Sequence, residues 1–386
     1  MNASELTRPS GIGAGTPPRY GVRMTTRRAV AEAAGVSVRT VSNVVTGHHY
    51  VADDTRARVL RAIDDLGYRP SELARNLRRG RSGLLGLVLP DLDTPYFAEL
   101  TRAFVEEGAR RGVTVVIDQT DGDLARERQL IDRLGPGSVF DGLIVEALAL
   151  HGDDLADLGP DRPLVFLGEN VLAGHDHVMI DNRLAAREAV EHLIAGGRRR
   201  IAAIGAQADP GAGHRGPGTD VAAGASTFRL DGYRDALEAA GGVVDETLVE
   251  QVPGFRRADG AAAMARLLDS ADPPDAVFCF SDPLALGALR TLLTRGVAVP
   301  DDVALVGFDD VEDGRYATPS LTSISPDKRA IARRALDLAL AKIEGPEDDG
   351  ESTASGSRRG RVVLAPHRLV VRESSGPAVT GPSTTA

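Results

Sequence analysis

The feature that most constrains this chain is an alternation that begins near residue 83 and runs almost to its end. Short apolar runs are each followed by a longer stretch with helical spacing. LLGLVLP leads into PYFAELTRAFVEEGARRG, followed by VTVVID, LARERQLIDRL, FDGLIV and PLVFLG. A second series runs through HVMIDNRLAAREAVEHLIAGG, RRRIAAIGA, FRLDGYRDALEAAG, PDAVFCF, DPLALGALRTLLTRG and DVALVGFDD. Apolar runs of this length mark strands buried on both faces, and the helices between them are the crossovers that parallel strands require. Two doubly wound α/β lobes are implied. In such folds a ligand sits at the carboxyl ends of the strands, here between the lobes.

The segment before residue 83 is different in charge. Residues 19–82 hold 13 Arg against 6 Asp or Glu, whereas the rest of the chain carries 32 basic and 49 acidic side chains. A compact basic module on an acidic body suits phosphate attraction, with the body limiting indiscriminate adhesion. The 386 residues suffice for two or three folding units. No apolar run approaches the roughly 20 residues needed to cross a bilayer. Residues 1–18 lack the apolar stretch of an export signal, so the expected compartment is the cytoplasm. The single cysteine, Cys279, lies in the apolar run AVFCF and is expected to be a buried thiol.

Within the basic module, Thr26 can cap a helix with apolar positions Val30, Ala33 and Ala34 that ends at Gly35. Ser37 caps a second helix carrying Val38, Val41, Val44 and Val45. The join Ala34-Gly35-Val36-Ser37 is a tight interhelical turn in which glycine accepts a left-handed conformation. A third helix is predicted from Asp53-Asp54-Thr55 to about Leu66-Gly67-Tyr68, its acids placed at the positive end of the dipole. This is a helix-turn-helix with a third packing helix. Pro70 then opens SELARNLR, about eight residues, too short to be stable alone in water where roughly 12–15 are needed.

The blocks AEAAGVSVRTVSNVVTG, VADDTRARVLRAIDDLGYRP and SELARNLRRGRSG resemble the headpiece of the LacI/GalR family of transcriptional regulators. The resemblance implies a DNA-facing set of Thr26, Ser37, Val38, Arg39, Thr40, Ser42, Asn43 and Tyr68. Val38, Arg39 and Asn43 would read base edges, with Thr40, Ser42 and Tyr68 nearer the backbone or the core. Arg39 has the geometry for a bidentate pair with guanine and Asn43 for one with adenine, while Val38 offers apolar contact to a thymine methyl. The family often has Arg at the position of Asn43. The resemblance further implies a hinge helix, paired with that of a second subunit in the minor groove, in which Leu77 wedges between base pairs beside Ala74. Arg75 and Arg78, with Arg79 and Arg81, would hold phosphates or the minor groove.

Residues 83–373 resemble the periplasmic-binding-protein-like sensor core of the same family. Matching positions imply a pocket lined by Asp91, Tyr96 and Phe97 from one lobe and by Arg229, Ser281, Asp282 and Asp309 from the other. Arg229 could bridge hydroxyls or grip a carboxylate, and Asp309 could accept from vicinal hydroxyls, both suited to a sugar. Read from the residues alone, pairing with a surface acid is the lesser alternative for Arg229. Asp282 serves equally as a helix cap before Pro283, and Tyr96 and Phe97 equally as core. The chain departs from the family's usual Asp-x-x-Asn-Pro-Phe-Phe at Asp91 to Phe97, and it has Gly168-Glu169 where relatives carry a polar pocket residue.

The expected organisation is a disordered leader over 1–23, a helix-turn-helix domain over 24–69, a hinge helix and linker over 70–82, a core over 83–375 and a disordered tail over 376–386. Within the core, one subdomain is expected to take about 83–180 plus 311–344, and the other about 181–310 plus 360–373. Residues 206–225 and 345–359 look like inserted surface loops. The run Gly211-Ala212-Gly213-His214-Arg215-Gly216 spells a dinucleotide fingerprint, but Pro217-Gly218 follows and no helix opens there. His175-Asp176-His177 lacks a further metal ligand at a recognised spacing. No catalytic residues, metal or cofactor are therefore expected. The implied function is that of a homodimeric repressor of a pseudopalindromic operator, controlled by a small-molecule effector of the sugar class. A transport protein sharing the two-lobed core would lack the basic headpiece, and an enzyme would need a catalytic arrangement that is not visible.

Overall fold

The structure, a computed structural model, describes residues 26–45, 50–68, 81–135, 137–150, 152–155, 159, 162–207, 224–345 and 360–376. The chain divides into two compact units, Met1–Gly80 and Arg81–Ala386. The hinge residues Ala74, Arg75, Leu77 and Arg78, the fingerprint at 211–216, the leader, and most of both inserted loops and the tail lie outside the described residues.

The first unit holds α1 (Arg27–Ala34), α2 (Val38–Val45) and α3 (Asp53–Asp65). Thr26 caps α1 by accepting from the Ala29 amide at 3.3 Å. Gly35 ends it at φ 64°, a left-handed value that a side chain would resist. Ser37 Oγ accepts from the Thr40 amide at 3.1 Å and so opens α2. The small core comprises Val30, Ala31, Ala34, Val41, Val44, Val59, Ala62 and Tyr68. On α1 the inward residue is Ala31, and Ala33 is exposed, contrary to the spacing read from sequence. Ala31 falls three residues before Ala34 on one helix face, and among alanines sequence pattern discriminates weakly.

The second unit is built on two six-stranded sheets. The first contains β1 (Leu84–Leu89), β2 (Thr114–Gln119), β3 (Gly142–Glu146), β4 (Leu164–Leu167), β5 (Asp176–Met179) and β11 (Val362–Leu364). Its order is β11-β5-β4-β3-β1-β2, and every pairing is parallel. The crossovers are α4 (Pro95–Arg110) and α5 (Leu124–Asp132). The second sheet contains β6 (Ile201–Ala206), β7 (Val249–Gln251), β8 (Ala276–Cys279), β9 (Ala304–Phe308), β10 (Thr322–Pro326) and β12 (His367–Val370). Its order is β12-β10-β9-β8-β6-β7, parallel except that β12 runs antiparallel to β10. Around it lie α6 (Asn182–Ala195), α7 (Ala225–Ala239), α8 (Arg257–Leu268), α9 (Asp282–Thr294) and the short α10 (Glu312–Arg315), while α11 (Lys328–Glu344) returns to pack on α4 and on β3 to β5.

The chain thus passes between lobes three times, near Ile180, Asp327 and Pro366. This corrects the expected subdomain limits. Residues 311–326 stay with the second lobe because β10 pairs with β9, and 360–364 belong to the first because β11 pairs with β5. One continuous hydrophobic cluster runs through both lobes, and another fills the α5 face of the first sheet. Cys279 is fully buried inside the second sheet, and burial pushes its thiol pKa up.

Candidate functional site

Two arrangements of side chains are candidates, one in each unit. On the helical unit, Val38 and Arg39 stand exposed at the start of α2, with Val38 46% accessible. Ser42 and Asn43 are half-buried one turn further on. Behind them Val41 and Val44 anchor the helix in the core, so α2 presents one polar face with its inner face fixed. Ser37 and Thr40 are joined to each other at 2.9 Å between hydroxyls, which holds the first turn. Tyr68 is buried, and its hydroxyl receives the Arg27 Nε at 3.0 Å. Of the expected contact residues, Tyr68 is core, Thr26 and Ser37 are exposed and also cap their helices, Val38 and Arg39 are exposed, and Thr40, Ser42 and Asn43 are half-buried.

In the second unit, residues from both lobes converge where their strands end at the carboxyl side. Asp91 follows β1, Tyr96 and Phe97 open α4, Glu146 ends β3, and Gly168-Glu169 follow β4. From the other lobe, Arg229 lies on α7, Ser281 and Asp282 follow β8, and Asp309 follows β9. Asn182, at the first crossing between lobes, ties the two sets together. Its Oδ1 accepts from Arg229 Nε at 2.8 Å, and its Nδ2 donates to Glu169 Oε1.

Arg229 is buried, and its guanidinium lies over the Phe308 ring at 3.6 Å from the centroid. One terminal nitrogen donates to the Phe280 carbonyl. Among the described residues Arg229 forms no ion pair with a surface acid. Asp309 is only 6% accessible, sits at φ 110° and receives no hydrogen bond on its carboxylate among the described residues. Burial pushes its pKa up to about 6, opposed by Arg229 and Lys328. Glu146 is also without a hydrogen-bond partner among the described residues. Burial, then the charge of Glu169, raises it to about 8 against the pull of Arg229. Tyr96 is driven far up by burial, then by Glu146 and Asp309. Its ring meets Phe97 edge-on at 5.3 Å, and both half-buried rings also pack on the core.

Three expected site residues have other roles. Asp282 is fully buried in the second lobe, where Oδ2 accepts from the Val311 amide at 2.8 Å and Oδ1 from Ser323 Oγ at 2.7 Å. It joins α9 to the segment before α10 and to β10. Ser281 is the cap of α9, accepting from the Leu284 amide at 3.4 Å. Asp91 holds its own loop through the Asp93 amide at 2.8 Å and the Thr94 hydroxyl at 3.1 Å. Glu146 and Asn182 were absent from the expected set, although each is a polar residue at the end of an apolar strand. The lobes also touch through Glu99, which accepts from the Glu312 amide at 2.9 Å and pairs with Lys328 at 3.0 Å.

No metal site competes with this reading among the described residues, where no group of three potential ligands is assembled. Asp176 pairs with Arg361 at 3.3 Å and Lys342 at 3.6 Å, while His177 stacks on Phe166 and receives the Leu172 amide at 2.9 Å. No described helix is long and apolar enough to cross a membrane.

Comparison with known proteins agrees with this division. Residues 28–71 match the family model for bacterial regulatory proteins of the lacI family, and residues 190–375 match that for the periplasmic binding protein-like domain. The HTH-type transcriptional regulator CelR of Thermobifida fusca is 37% identical over 363 residues, covering 91% of this chain and 98% of CelR. A solved transcriptional regulator CelR-cellobiose complex aligns with TM-score 0.60 at 33% identity, over 91% of this chain and 99% of that one. The lac repressor dimer bound to operator and the anti-inducer ONPF aligns with TM-score 0.71 at 25% identity, again over 91% and 99%. A helix-turn-helix with its outward face on α2, joined in one chain to a two-lobed binding core and matched nearly end to end by such relatives, places this protein in the LacI family of bacterial regulatory proteins.

Proposed function

We propose that the protein is a sequence-specific DNA-binding repressor whose operator affinity is set by a small molecule, of the sugar class, held between the two lobes of its core. The observation that carries this is the pairing, in one chain, of an outward Arg39 on a capped α2 with an interlobe site in which Asp309 lies buried, its carboxylate without a hydrogen-bond partner among the described residues. Val38, Arg39 and Asn43 are the base-reading residues of this proposal, with Ser42 nearer the backbone. Asp309, Arg229, Tyr96 and Phe97 are the effector contacts.

Two copies acting on a pseudopalindromic operator complete the reading. The edge strand β2 supports this, because it leaves one side of the first sheet unpaired and exposes Val116 at 37% and Ile117 at 38%. Effector and operator are then coupled through the lobes, and each must change the affinity of the other by the same factor.

The test is selection of bound sequences from random duplex DNA with the full chain. An enriched inverted repeat, lost in R39A with only a small change in salt-dependent nonspecific binding, supports the proposal. Recovery of no common motif, or of one that R39A binds equally well, refutes it.

A further inference from the structure

The interlobe site is acidic in a way that limits what can enter it. Glu146, Glu169 and Asp309 surround a single guanidinium, that of Arg229. Lys328 does not redress the balance, because it is paired with Glu99 and donates to the backbone carbonyl of Asp309. The excess is built in by the local sequence. Gly168 has φ 78°, and a methyl group there would overlap Glu146 Oε1, so glycine both permits the turn after β4 and leaves that corner to the carboxyl group. Glu169 is held in place by Asn182, which also orients Arg229.

The hydrogen-bonding capacity points the same way as the charge. Ionised carboxylates only accept, so Asp309 and Glu169 present a surface that asks for donors, while Glu146, raised to about 8, keeps its proton at neutral pH and adds one hydroxyl. Among the described residues the buried Asp309 carboxylate has no hydrogen-bond partner and Arg229 Nη2 makes no hydrogen bond, so one free donor stands near an unsatisfied acceptor. The half-buried Tyr96 ring, braced edge-on by Phe97, provides an apolar surface of the kind that packs against the face of a small ring.

Resting on the proposed effector site, we infer that this cleft takes an uncharged, hydroxyl-rich ring, a free saccharide or a nucleoside, and rejects the phosphate monoester of the same molecule. A phosphate would bring two negative charges and only acceptors to a space that already holds an excess of both. Hydroxyl groups would donate to Asp309 and Glu169 and accept from Arg229 Nη2.

The full chain is followed by thermal unfolding with glucose, galactose, ribose, adenosine and cytidine, each beside its phosphate monoester, and with cellobiose. The saccharide and nucleoside arms distinguish the two sources of the same chemistry. The expected result is a rise in midpoint with at least one neutral compound. Its affinity exceeds that of its phosphate, where the panel includes one, at least tenfold, and the shift is abolished in R229A. Because Arg229 also ties Asn182 to Phe280, D309N provides a second variant that leaves those bonds intact. In E146Q/E169Q the discrimination against phosphate should shrink. A phosphate that binds as tightly as its parent, with the shift lost in D309N, overturns the inference and leaves the effector site standing. A panel with no shift that depends on Asp309 or Arg229 overturns the effector site itself, and the inference with it.

Discussion

Replacing Glu146 by Gln should stabilise the protein, and by an amount that grows with pH. In the folded chain the Glu146 carboxyl is raised to about 8 from an ordinary 4.5, first by burial and next by Glu169, with Arg229 opposing. In the unfolded chain it ionises normally. Between these two values the folded state keeps a proton that the unfolded state has released, so wild-type stability falls as pH rises through this window. Each unit of separation corresponds to 1.36 kcal/mol, which sets a ceiling of about 3 kcal/mol at pH 7 and about 5 kcal/mol above pH 8. Water reaching a half-buried carboxyl screens roughly half of this, leaving about 1–2 kcal/mol at neutral pH. For a unit of this size that amounts to a rise of about 2–6 °C in the unfolding midpoint. Wild type and E146Q should be compared by differential scanning calorimetry at pH 5, 7 and 8.5 without ligand. The gap should be small at pH 5, widen to pH 8 and then stay level. A gap that is constant across the range, or that favours the wild type at pH 8.5, would refute the assignment of Glu146 to a crowded acidic corner.

Gly168→Ala should lose about 1–3 kcal/mol, since the methyl must adopt a left-handed backbone and displaces Glu146. Adding E146A should restore the part due to overlap but not the part due to φ, and additive effects in the double variant would contradict the proposed contact. Asp282→Ala should cost about 2–3 kcal/mol by stranding the Val311 amide and the Ser323 hydroxyl. Its effector affinity, measured by titration calorimetry well below the unfolding temperature, should stay within about threefold of wild type, and a larger loss would return Asp282 to the site. Ile117→Lys should shift the solution mass from dimer toward monomer in light scattering behind size exclusion, and an unchanged dimer would move the interface away from β2.

Much of this fold is legible in the sequence where burial leaves a periodic mark. The runs LLGLVL, GLIVE, LVFL and AVFC read as strands because they are buried on both faces. The late strands do not announce themselves. β11 is three residues long and partly exposed at a sheet edge, and β12 joins by an antiparallel pairing that crossover patterns do not suggest. Sequence order therefore misassigned residues 311–326 and 360–364 between lobes. Within the cleft, Arg229 and Asp309 are recognisable, whereas Glu146 looks like the polar end of any strand. Only its proximity to Gly168 and Glu169, which pairing of β3 with β4 creates, gives it a distinct environment. Asp282 was open to two readings from sequence, cap or contact. The structure gives it a third, a buried tie between α9 and β10, because its partners are separated from it by 29 and 41 residues.

The three passages between lobes also bear on the order in which the protein can be made. Each sheet is closed on one side by a strand from the end of the chain, the first by Val362–Leu364 and the second by His367–Val370. A nascent chain emerging from the ribosome therefore holds two unfinished sheets until residues 362–370 have been synthesised. Loss of the segment after Glu344 would strip an edge strand from both lobes at once, so a lesion that removes residues 360–370 is expected to abolish the whole core and not merely trim one of its halves.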